Sequence, residues 1–276
     1  MIIDAHQHFW KYNPKRDSWI NDEMAVLKRD FLPAELQNIY STNKIDGCIA
    51  VQADQSMEET DFLLELAEKN NFIKGVVGWI DPSSVKFRET LNSYDSNTAL
   101  KGFRNVIQGE DDDRYFKNAL FLQGFSLLQE TRFSYDVLIY HHQLPSAIRF
   151  TERFPDQRFM IDHCAKPPIK QASIKKWKSD IKTIAENPNM YCKLSGLVTE
   201  ADWSKWNYQQ ISPYLEIAGE YFGTERICFG SDWPVCLLAA RYEKVLEIIN
   251  TFCQQVSPPE RENIWSGNAM NFYQLD

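Results

Sequence analysis

The chain opens with Met1-Ile2-Ile3-Asp4-Ala5-His6-Gln7-His8, a short apolar run that ends in two histidines. Seven further short runs rich in β-branched residues follow it, at intervals of about 32 residues, which is the length of one strand plus one helix. The eight predicted strands are residues 2–5, 47–51, 74–80, 100–106, 137–140, 159–162, 190–194 and 227–229. Eight strands that alternate with helical segments predict an α/β protein with the architecture of a single (β/α)8, TIM-like barrel.

The length and composition agree with one barrel that uses almost the whole chain. No linker or shift of composition divides the 276 residues, so we expect a single domain over residues 1–276. The 30 basic residues against 38 acidic ones give a net charge of −8, which argues against nucleic acid or an anionic membrane as a partner. No apolar run reaches 18 residues, and the N-terminus carries no signal-peptide pattern. We therefore expect a cytoplasmic protein.

The six cysteines are predicted to be buried, reduced thiols. None of them forms a C-x-x-C pair, and four lie inside or at the ends of predicted strands. The sequence therefore predicts no disulfide framework.

Three helices carry clear signals. Residues 55–70 contain Ser56 and Glu59 at the spacing of a capping box, followed by an apolar stripe. Residues 242–256 repeat such a stripe, Pro258 and Pro259 are expected to end it, and an amphipathic terminal helix is predicted over residues 261–273.

All five histidines fall at the predicted carboxyl ends of strands one, five and six. They are His6, His8, His141, His142 and His163. The carboxyl ends of barrel strands form the active site in this architecture, so the clustering indicates a functional site. His6 and His8 are two residues apart, and the alternation of side chains along a strand directs both to one face, where they could share a metal ion or flank a substrate. By the same rule His141 is expected to turn away from His142, toward the helix layer.

Asp232 and Arg104 are the charged candidates at the same end of the barrel. Asp232 follows the eighth strand, next to the first, and can meet His6 and His8; capping of the next helix is the alternative. Arg104 ends the fourth strand, where its guanidinium suits a carboxylate or a polarised carbonyl; a structural ion pair is the alternative.

Three tryptophans follow or end strands at this face: Trp10, Trp79 and Trp233. Their rings suit the C–H faces of a sugar, with packing in the core or at the rim as the alternative. Ser195 and Ser231 also lie at strand ends, but neither is in a G-x-S-x-G turn, so we interpret them as hydrogen-bonding groups and not as nucleophiles.

These motifs together resemble the amidohydrolase superfamily, and within it the branch of sugar lactonases that includes L-fuconolactonase and L-rhamnonolactonase. The matching segments span nearly the whole chain and are residues 4–10, 51–53, 75–81, 101–105, 142–145, 162–167, 193–197 and 230–234. The resemblance implies a barrel of the amidohydrolase type that opens a neutral sugar lactone, such as an L-fucono- or L-rhamnono-lactone, to the aldonic acid.

The resemblance also implies roles for individual residues. His6 and His8 match the histidine pair of strand one, His142 and His163 match the histidines of strands five and six, and Asp232 matches the aspartate that activates water. Arg104 stands where many relatives carry a bridging lysine or glutamate, which argues against a two-metal centre. One divalent ion, Zn²⁺, bound by His6, His8, Asp232 and one further histidine, and a metal-independent site both remain open.

The reaction expected from this set is general-base hydrolysis. Asp232 would take a proton from water, His163 and Arg104 (or a metal ion) would polarise the carbonyl, and protonated Asp232 would return its proton to the leaving oxygen. The alternatives are a metal-dependent decarboxylase or hydratase of an unsaturated or aromatic carboxylic acid, and a barrel without catalytic activity that serves as a binding or scaffold protein. The sequence specifies neither the particular lactone nor the oligomeric state.

Overall fold

The structure, a computed structural model, describes residues 1–275, apart from the side chains of residues 113 and 114. Within that range eight parallel strands pair in sequence order, each with the next. They are β1 (Ile3–Gln7), β2 (Gly47–Val51), β3 (Ile73–Gly78), β4 (Leu100–Val106), β5 (Ser134–Leu138), β6 (Phe159–Ile161), β7 (Met190–Leu194) and β8 (Ile227–Phe229). The predicted (β/α)8 barrel is confirmed.

The strand predictions differ most from the structure at β5, which begins at Ser134 and ends at Leu138 instead of covering residues 137–140. Ser134 and Asp136 interrupt the apolar pattern of this strand, although both side chains are fully buried. Apolar periodicity therefore misses the first half of β5, because Ser134 donates to the carbonyl of Lys101 in β4 and Asp136 faces the polar upper interior of the barrel.

The sheet closes between β8 and β1 through contacts just beyond the strands. The backbone N–H of His8 donates to the carbonyl of Trp233 at 2.7 Å, and the N–H of Asp232 donates to the carbonyl of His6 at 2.8 Å. The carboxylate of Asp4 accepts hydrogen bonds from the Ser231 backbone N–H and from the Tyr40 hydroxyl on the helix side of the sheet. These bonds fix the distance between the ends of β1 and β8, where the metal-binding candidates lie.

Helices fill the connections between the strands. They are α1 (Pro33–Asn43), α2 (Met57–Lys69), α3 (Phe87–Ser93), α4 (Asp112–Tyr115), α5 (Ala119–Leu128), α6 (Leu144–Thr151), α7 (Ile174–Ala185), α8 (Tyr208–Phe222), α9 (Tyr242–Cys253), α10 (Pro258–Glu262) and α11 (Asn268–Tyr273). A π-helical segment (Asn263–Gly267) joins the last two helices. Short 3₁₀ turns occupy Asp22–Leu27, His141–Gln143, Asp162–Ala165, Val198–Glu200 and Val235–Leu238. None of the helices described for residues 1–275 has the length and apolar character that crossing a bilayer requires.

The capping box predicted for α2 is half formed. The hydroxyl of Ser56 accepts the backbone N–H of Glu59 at 3.2 Å, as expected of an N-cap. The carboxylate of Glu59 instead accepts the backbone N–H of Ala53 at 3.0 Å, so it fastens α2 to the end of β2.

The terminal helix begins earlier than predicted. α9 ends at Cys253, and Pro258 and Pro259 form the first turn of α10, where proline is tolerated because the N–H that it lacks is unpaired there in any case. The helix then closes the lower end of the barrel, where Ala269, Phe272 and Tyr273 pack against the apolar interior.

The lower interior, which we call the barrel floor, is one apolar cluster. It comprises Ile3, Ala5, Ile49, Val51, Val77, Met160, Cys228, Ala269, Phe272 and Tyr273. The other buried apolar side chains pack between the sheet and the helices. All six cysteines are buried as free thiols.

Candidate active site

Three histidines surround one carboxylate oxygen at the upper end of the barrel. The Oδ1 atom of Asp232 lies 3.5 Å from His8 Nε2, 3.9 Å from His6 Nε2 and 3.9 Å from His163 Nε2. All four side chains are buried. The structure thus brings together the predicted residues from strands one, six and eight, which lie up to 226 positions apart in the sequence.

A shift of register in β1 directs both of its histidines inward. Ile3 and Ala5 belong to the barrel floor, so strict alternation would place His6 on the outer face. The pairing with β2 shifts by one residue between Asp4 and Gln7, and beyond this irregularity His6 and His8 both face the interior. The predicted pairing of the two histidines on one face is present, but it depends on a local feature of the tertiary structure.

The spacing of these ligand atoms fits a single metal ion. His6 Nε2 and His8 Nε2 are 3.1 Å apart, and both lie within 3.9 Å of the Asp232 carboxylate. Donor atoms in a tetrahedral zinc site, with bonds of about 2.0–2.1 Å, lie about 3.4 Å from one another. His8 Nδ1 lies 2.7 Å from the carbonyl of Val51, which leaves its Nε2 lone pair free for a ligand. Within residues 1–275, a second group of possible ligands shares His6 and adds Asp162 and His163.

A left-handed turn sets the position of His163. Four consecutive residues, 163–166, have φ values between 48° and 57°, a conformation that costs about 1–2 kcal/mol per non-glycine residue. Neighbouring groups stabilise it, since Trp177 Nε1 donates to the carbonyl of Cys164 at 2.8 Å and His141 Nδ1 lies 3.0 Å from the carbonyl of Lys166. Strain held in place in this way is common at functional sites.

Two glycines allow the side chains of this site to come close together. A Cβ atom at Gly196, whose φ is 62°, would lie 2.5 Å from His163 Nδ1, and one at Gly230 would lie 2.8 Å from the Cβ of His6. The close approach lets Ser195 Oγ reach His163 Nδ1 at 2.8 Å, so this serine orients the ring, in line with its predicted hydrogen-bonding role.

Arg104 is buried and already paired. Its Nη1 donates to Asp162 Oδ2 at 2.9 Å and lies 3.3 Å from His6 Nε2, while its Nη2 donates to the carbonyl of Gln52. The structural ion pair that the sequence left open is therefore present. The guanidinium supports the histidines from below, and its reach to a substrate stays a prediction.

A network of buried charges lies beneath His6, and the sequence reasoning did not identify it. Lys193 of β7 donates to Asp136 of β5 and contacts Asp162 Oδ1 at 2.9 Å and His6 Nδ1 at 3.1 Å. The hydroxyl of Tyr273, which rises from the floor, donates to Asp136 Oδ2 at 2.8 Å. The available signal was a lysine and an aspartate in the middle of otherwise apolar strands, at positions whose alternation points into the barrel.

The charges of this network are mutually stabilised. Burial alone would lower the pKa of Lys193, but Asp136 and Asp162 outweigh it and raise that pKa. Burial alone would raise the pKa of Asp162, but Lys193, His6 and Arg104 hold it well below its usual value. Burial raises the pKa of Asp136 to about 6 despite the attraction of Lys193.

The groups nearest the mouth have the protonation states that base catalysis requires. Burial lowers the pKa of His163 to about 4, so its imidazole is neutral at pH 7. Burial would raise the pKa of Asp232, but its interactions with His163 and His8 outweigh that effect and lower the pKa. The ionised carboxylate of Asp232 thus lies 3.9 Å from the neutral ring of His163.

Two of the three predicted substrate-binding tryptophans are in the core. Trp10 is 2% exposed and its Nε1 donates to the carbonyl of Arg29, while Trp233 is fully buried against Phe9 and Phe31. Neither ring presents a face to a ligand, because the segment after β1 returns along the barrel and covers them.

Trp79 differs from the other two tryptophans. Along β3, Val77 points into the barrel floor, and Gly78 faces Thr60 of the helix layer. By alternation, the next residue, Trp79, faces the barrel axis. It is half-buried, and its indole N–H finds no acceptor among residues 1–275.

The histidines after β5 are placed differently from the prediction. β5 ends at Leu138, four residues before His142, so strand alternation no longer applies to them. His142 is exposed and stacks on Tyr140, and the structure does not bring it to the Asp232 cluster. His141, expected to face the helix layer, instead lines an open cleft of about 630 Å³ beside the mouth.

That cleft combines aromatic and charged side chains. Tyr140, His141, Glu200 and Trp203 contribute to its wall. Lys166 Nζ lies 3.6 Å from Glu200 Oε1, and Lys166 lowers the pKa of Asp232 while it also opposes a charge on His163. The cleft therefore lies within electrostatic reach of the histidine cluster.

Comparisons with known proteins agree with the geometry. The sequence profile described as amidohydrolase matches residues 3–275. An L-fucono-1,5-lactonase from Burkholderia multivorans is 38% identical over 99% of this chain and 96% of its own length, and one from Burkholderia ambifaria is 31% identical with the same coverages. The crystal structure of an amidohydrolase from B. multivorans with bound zinc is 38% identical, covers both chains completely and has a TM-score of 0.97.

Proposed function

This chain belongs to the amidohydrolase family, and we propose that it is a hydrolase that opens a sugar lactone of the L-fucono-1,5-lactone type to the aldonic acid. One observation carries the proposal: Asp232 Oδ1 is surrounded by the Nε2 atoms of three buried histidines at the mouth of the barrel. The similarity to two lactonases over almost the full chain supports the substrate class.

In the proposed reaction Asp232 is the general base. Its lowered pKa keeps it ionised, so it can take a proton from a water molecule while the water oxygen attacks the lactone carbonyl carbon. The C–O bond of the ring then breaks, and protonated Asp232 returns the proton to the departing oxygen. No external oxidant or reductant is needed.

His163 is proposed to stabilise the oxyanion that forms at the carbonyl oxygen. Its Nδ1 can accept a hydrogen bond from the Ser195 hydroxyl at 2.8 Å, and the proton of the neutral ring then lies on Nε2, which can donate at the mouth. Because the imidazole is neutral at pH 7, it acts as a hydrogen-bond donor without competing with Asp232 for the proton from water.

His6, His8 and Asp232 would hold a divalent ion if one binds, since their donor atoms have the spacing described above. Bound zinc would polarise the carbonyl or lower the pKa of a bound water. Arg104 and Lys193 place two positive charges next to His6, but Asp162 and Asp136 pair with them, so the charges around the site are compatible with turnover with or without a metal ion.

Substrate contacts are proposed for Trp79 and for the cleft that Tyr140 and Trp203 line. The half-buried ring of Trp79 and the aromatic rings of the cleft suit the C–H faces of a sugar. The substrate contacts predicted for Trp10 and Trp233 lack this support, because both side chains are buried. The catalytic role predicted for His142 lacks it as well, because His142 is exposed apart from the cluster.

The test is a panel of aldono-1,4- and aldono-1,5-lactones in an assay that follows acid release with a pH indicator. The panel contains L-fucono-, L-rhamnono- and D-galactono-lactones, each with an enzyme-free blank, because lactones also open uncatalysed. Protein stripped of metal and protein supplied with zinc are measured in parallel. We expect the largest kcat/KM for an L-fucono-1,5-lactone.

Acid release that never exceeds the blank, for any lactone in either metal state, would exclude the proposed activity. CO₂ release from an aromatic or unsaturated acid, with consumption of a proton, would instead identify the decarboxylase alternative.

A further inference from the structure

The ring nitrogen Nδ1 of His6 lies between a donor and an acceptor. Lys193 Nζ is 3.1 Å away and Asp162 Oδ1 is 3.2 Å away. A ring nitrogen of neutral histidine either accepts or donates one hydrogen bond, so the two contacts cannot both be hydrogen bonds at once. The choice between them decides which nitrogen of His6 carries the proton.

The donors of Lys193 favour one outcome. An ammonium group has three N–H donors and no acceptor. Two of these donors make hydrogen bonds, one to Asp136 Oδ2 and one to His6 Nδ1, while Asp162 Oδ1 lies 2.9 Å away as an ion-pair partner. Lys193 is fully buried, so loss of its bond to His6 would leave a buried donor without a partner, which is costly. Nδ1 of His6 therefore accepts, and the proton lies on Nε2.

The opposite side of the ring leads independently to the same assignment. His8 Nδ1 lies 2.7 Å from the carbonyl of Val51, which can only accept, so His8 Nε2 carries a lone pair. His6 Nε2 is 3.1 Å from that lone pair and can donate to it. Arg104 Nη1 carries two N–H groups, so it can donate to Asp162 at 2.9 Å and also to His6 Nε2 at 3.3 Å, and this second bond would favour the other tautomer. The shorter contact with His8 favours the proton on Nε2 of His6.

We propose that Lys193 is a positioning residue that holds His6 in the Nε2–H tautomer in the metal-free protein. A metal ion at Nε2 of His6 would require the Nδ1–H tautomer instead, and Asp162 would then accept the hydrogen bond from Nδ1. Lys193 and a metal ion then compete for one histidine. The same site is thereby built for two states, one in which His6 donates to His8 and one in which its Nε2 lone pair binds a cation.

Lys193 is itself fixed from the floor of the barrel. Asp136 Oδ2 accepts from Lys193 and also from the hydroxyl of Tyr273, at 2.8 Å for the latter. Without that hydroxyl, Asp136 would draw the ammonium group toward itself and lengthen its contact with His6. The terminal helix α11 thus contributes to the state of the site from the opposite end of the barrel.

The first test uses the wild-type chain, stripped of metal and labelled with ¹⁵N in its histidine rings. Five histidines give at most ten ring-nitrogen signals, and the His6 pair is identified by its absence from a His6→Gln variant. We expect a protonated Nε2 and an unprotonated Nδ1 on His6. A protonated Nδ1 in the metal-free protein would overturn the proposal. Addition of zinc should move the proton to Nδ1, and no zinc-dependent change at His6 would overturn the competition.

The second test replaces the donor with Lys193→Met. We expect the metal-free variant to show His6 with a protonated Nδ1, donating to Asp162, and to bind zinc about 10-fold more tightly in competition with a chromophoric chelator. An unchanged tautomer in the folded variant would contradict the assignment. If this variant does not fold, the wild-type spectra and the third test decide.

The third test leaves every charge in place. Tyr273→Phe removes only the hydroxyl that anchors Asp136, and we expect a measurable fraction of the Nδ1–H form of His6 and a roughly 3-fold tighter binding of zinc. Tyr135→Phe is the matched control. Tyr135 directly precedes Asp136 in β5 and is as buried as Tyr273, but its hydroxyl donates to Asn105 at 2.9 Å and not to Asp136. Identical His6 spectra for the two variants would exclude the role of Tyr273. None of these measurements depends on the lactone, so their failure is separable from that of the proposed activity.

Discussion

The upper and lower halves of the barrel interior are built from the same eight strands and yet have opposite chemistry. The floor is apolar and is sealed by Phe272 and Tyr273 of the terminal helix. Above it, buried charged groups alternate in sign, in the order Asp136, Lys193, Asp162 and Arg104.

The difference shows how one fold separates stability from chemistry. Burial of apolar side chains in the floor stabilises the barrel by about 25 cal/mol per Å² removed from water. Burial of charges in the upper half opposes folding unless each charge is paired, and it strengthens every electrostatic interaction at the mouth. The four predictions below test this separation, in order of expected effect.

The largest effect is expected for Asp232→Asn. An amide keeps the size of the side chain but cannot take a proton from water, so kcat should fall by about 10²- to 10⁴-fold. Thermal unfolding should change little or move to higher temperature, because one buried charge is removed. Substantial lactonase activity in a folded Asp232→Asn protein would remove the general-base role.

Ile49→Ala in the barrel floor should have the opposite effect: it should change stability and leave turnover nearly unchanged. It should lower the free energy of unfolding by about 2–5 kcal/mol, and Ile49→Val by about 0.5–1.5 kcal/mol, since each leaves a cavity in a fully buried cluster. Turnover per folded molecule should stay within a factor of about two. Urea unfolding and active-site-normalised kinetics measure the two quantities, and a floor variant that retains stability but loses turnover would break the separation.

Glu59 provides a smaller, pH-dependent test at the open end. Burial raises its pKa to about 7 from an ordinary value of 4.5. The folded state therefore binds a proton more strongly than the unfolded state, and the stability that this proton provides below pH 4.5 is lost as the pH rises through 7. Glu59→Gln should match the wild type near pH 4.5 and be more stable by about 1–3 kcal/mol at pH 8.

The control for this experiment is Glu58→Gln, because Glu58 is the exposed neighbour of Glu59 on the same helix. Urea unfolding at both pH values should separate the two variants. A difference between Glu59→Gln and the wild type that is the same at pH 4.5 and pH 8 would show that the Glu59 carboxyl does not titrate as described.

The smallest effect concerns the tryptophans. Trp79→Phe replaces a half-buried ring that faces the barrel axis with a smaller one, so KM for the preferred lactone should rise by about fivefold, the value of one aromatic contact. Trp10→Phe removes a buried hydrogen bond to Arg29 and should lower the free energy of unfolding by about 1 kcal/mol. A Trp79→Phe protein with unchanged KM for every lactone would place the substrate elsewhere.

The sequence was informative wherever a pattern is local. Apolar runs at a regular interval predicted all eight strands, because a strand buried on both faces is recognisable from a few consecutive residues. The same locality explains the errors at β5 and at the start of the terminal helix, where polar residues or prolines occupy positions that only the complete barrel makes favourable.

The sequence by itself determined the barrel and the set of side chains at its mouth, since His6, His8, His163 and Asp232 each follow a strand whose carboxyl end the architecture directs to one place. Only the tertiary structure decided which neighbours those side chains have. The contact of Lys193 with His6 joins residues 187 positions apart, and that of Tyr273 with Asp136 joins residues 137 apart. Local periodicity indicates the face on which most side chains lie, whereas the face of His6 depends on the shift within β1, and the partners across the barrel depend on register and on packing from both ends.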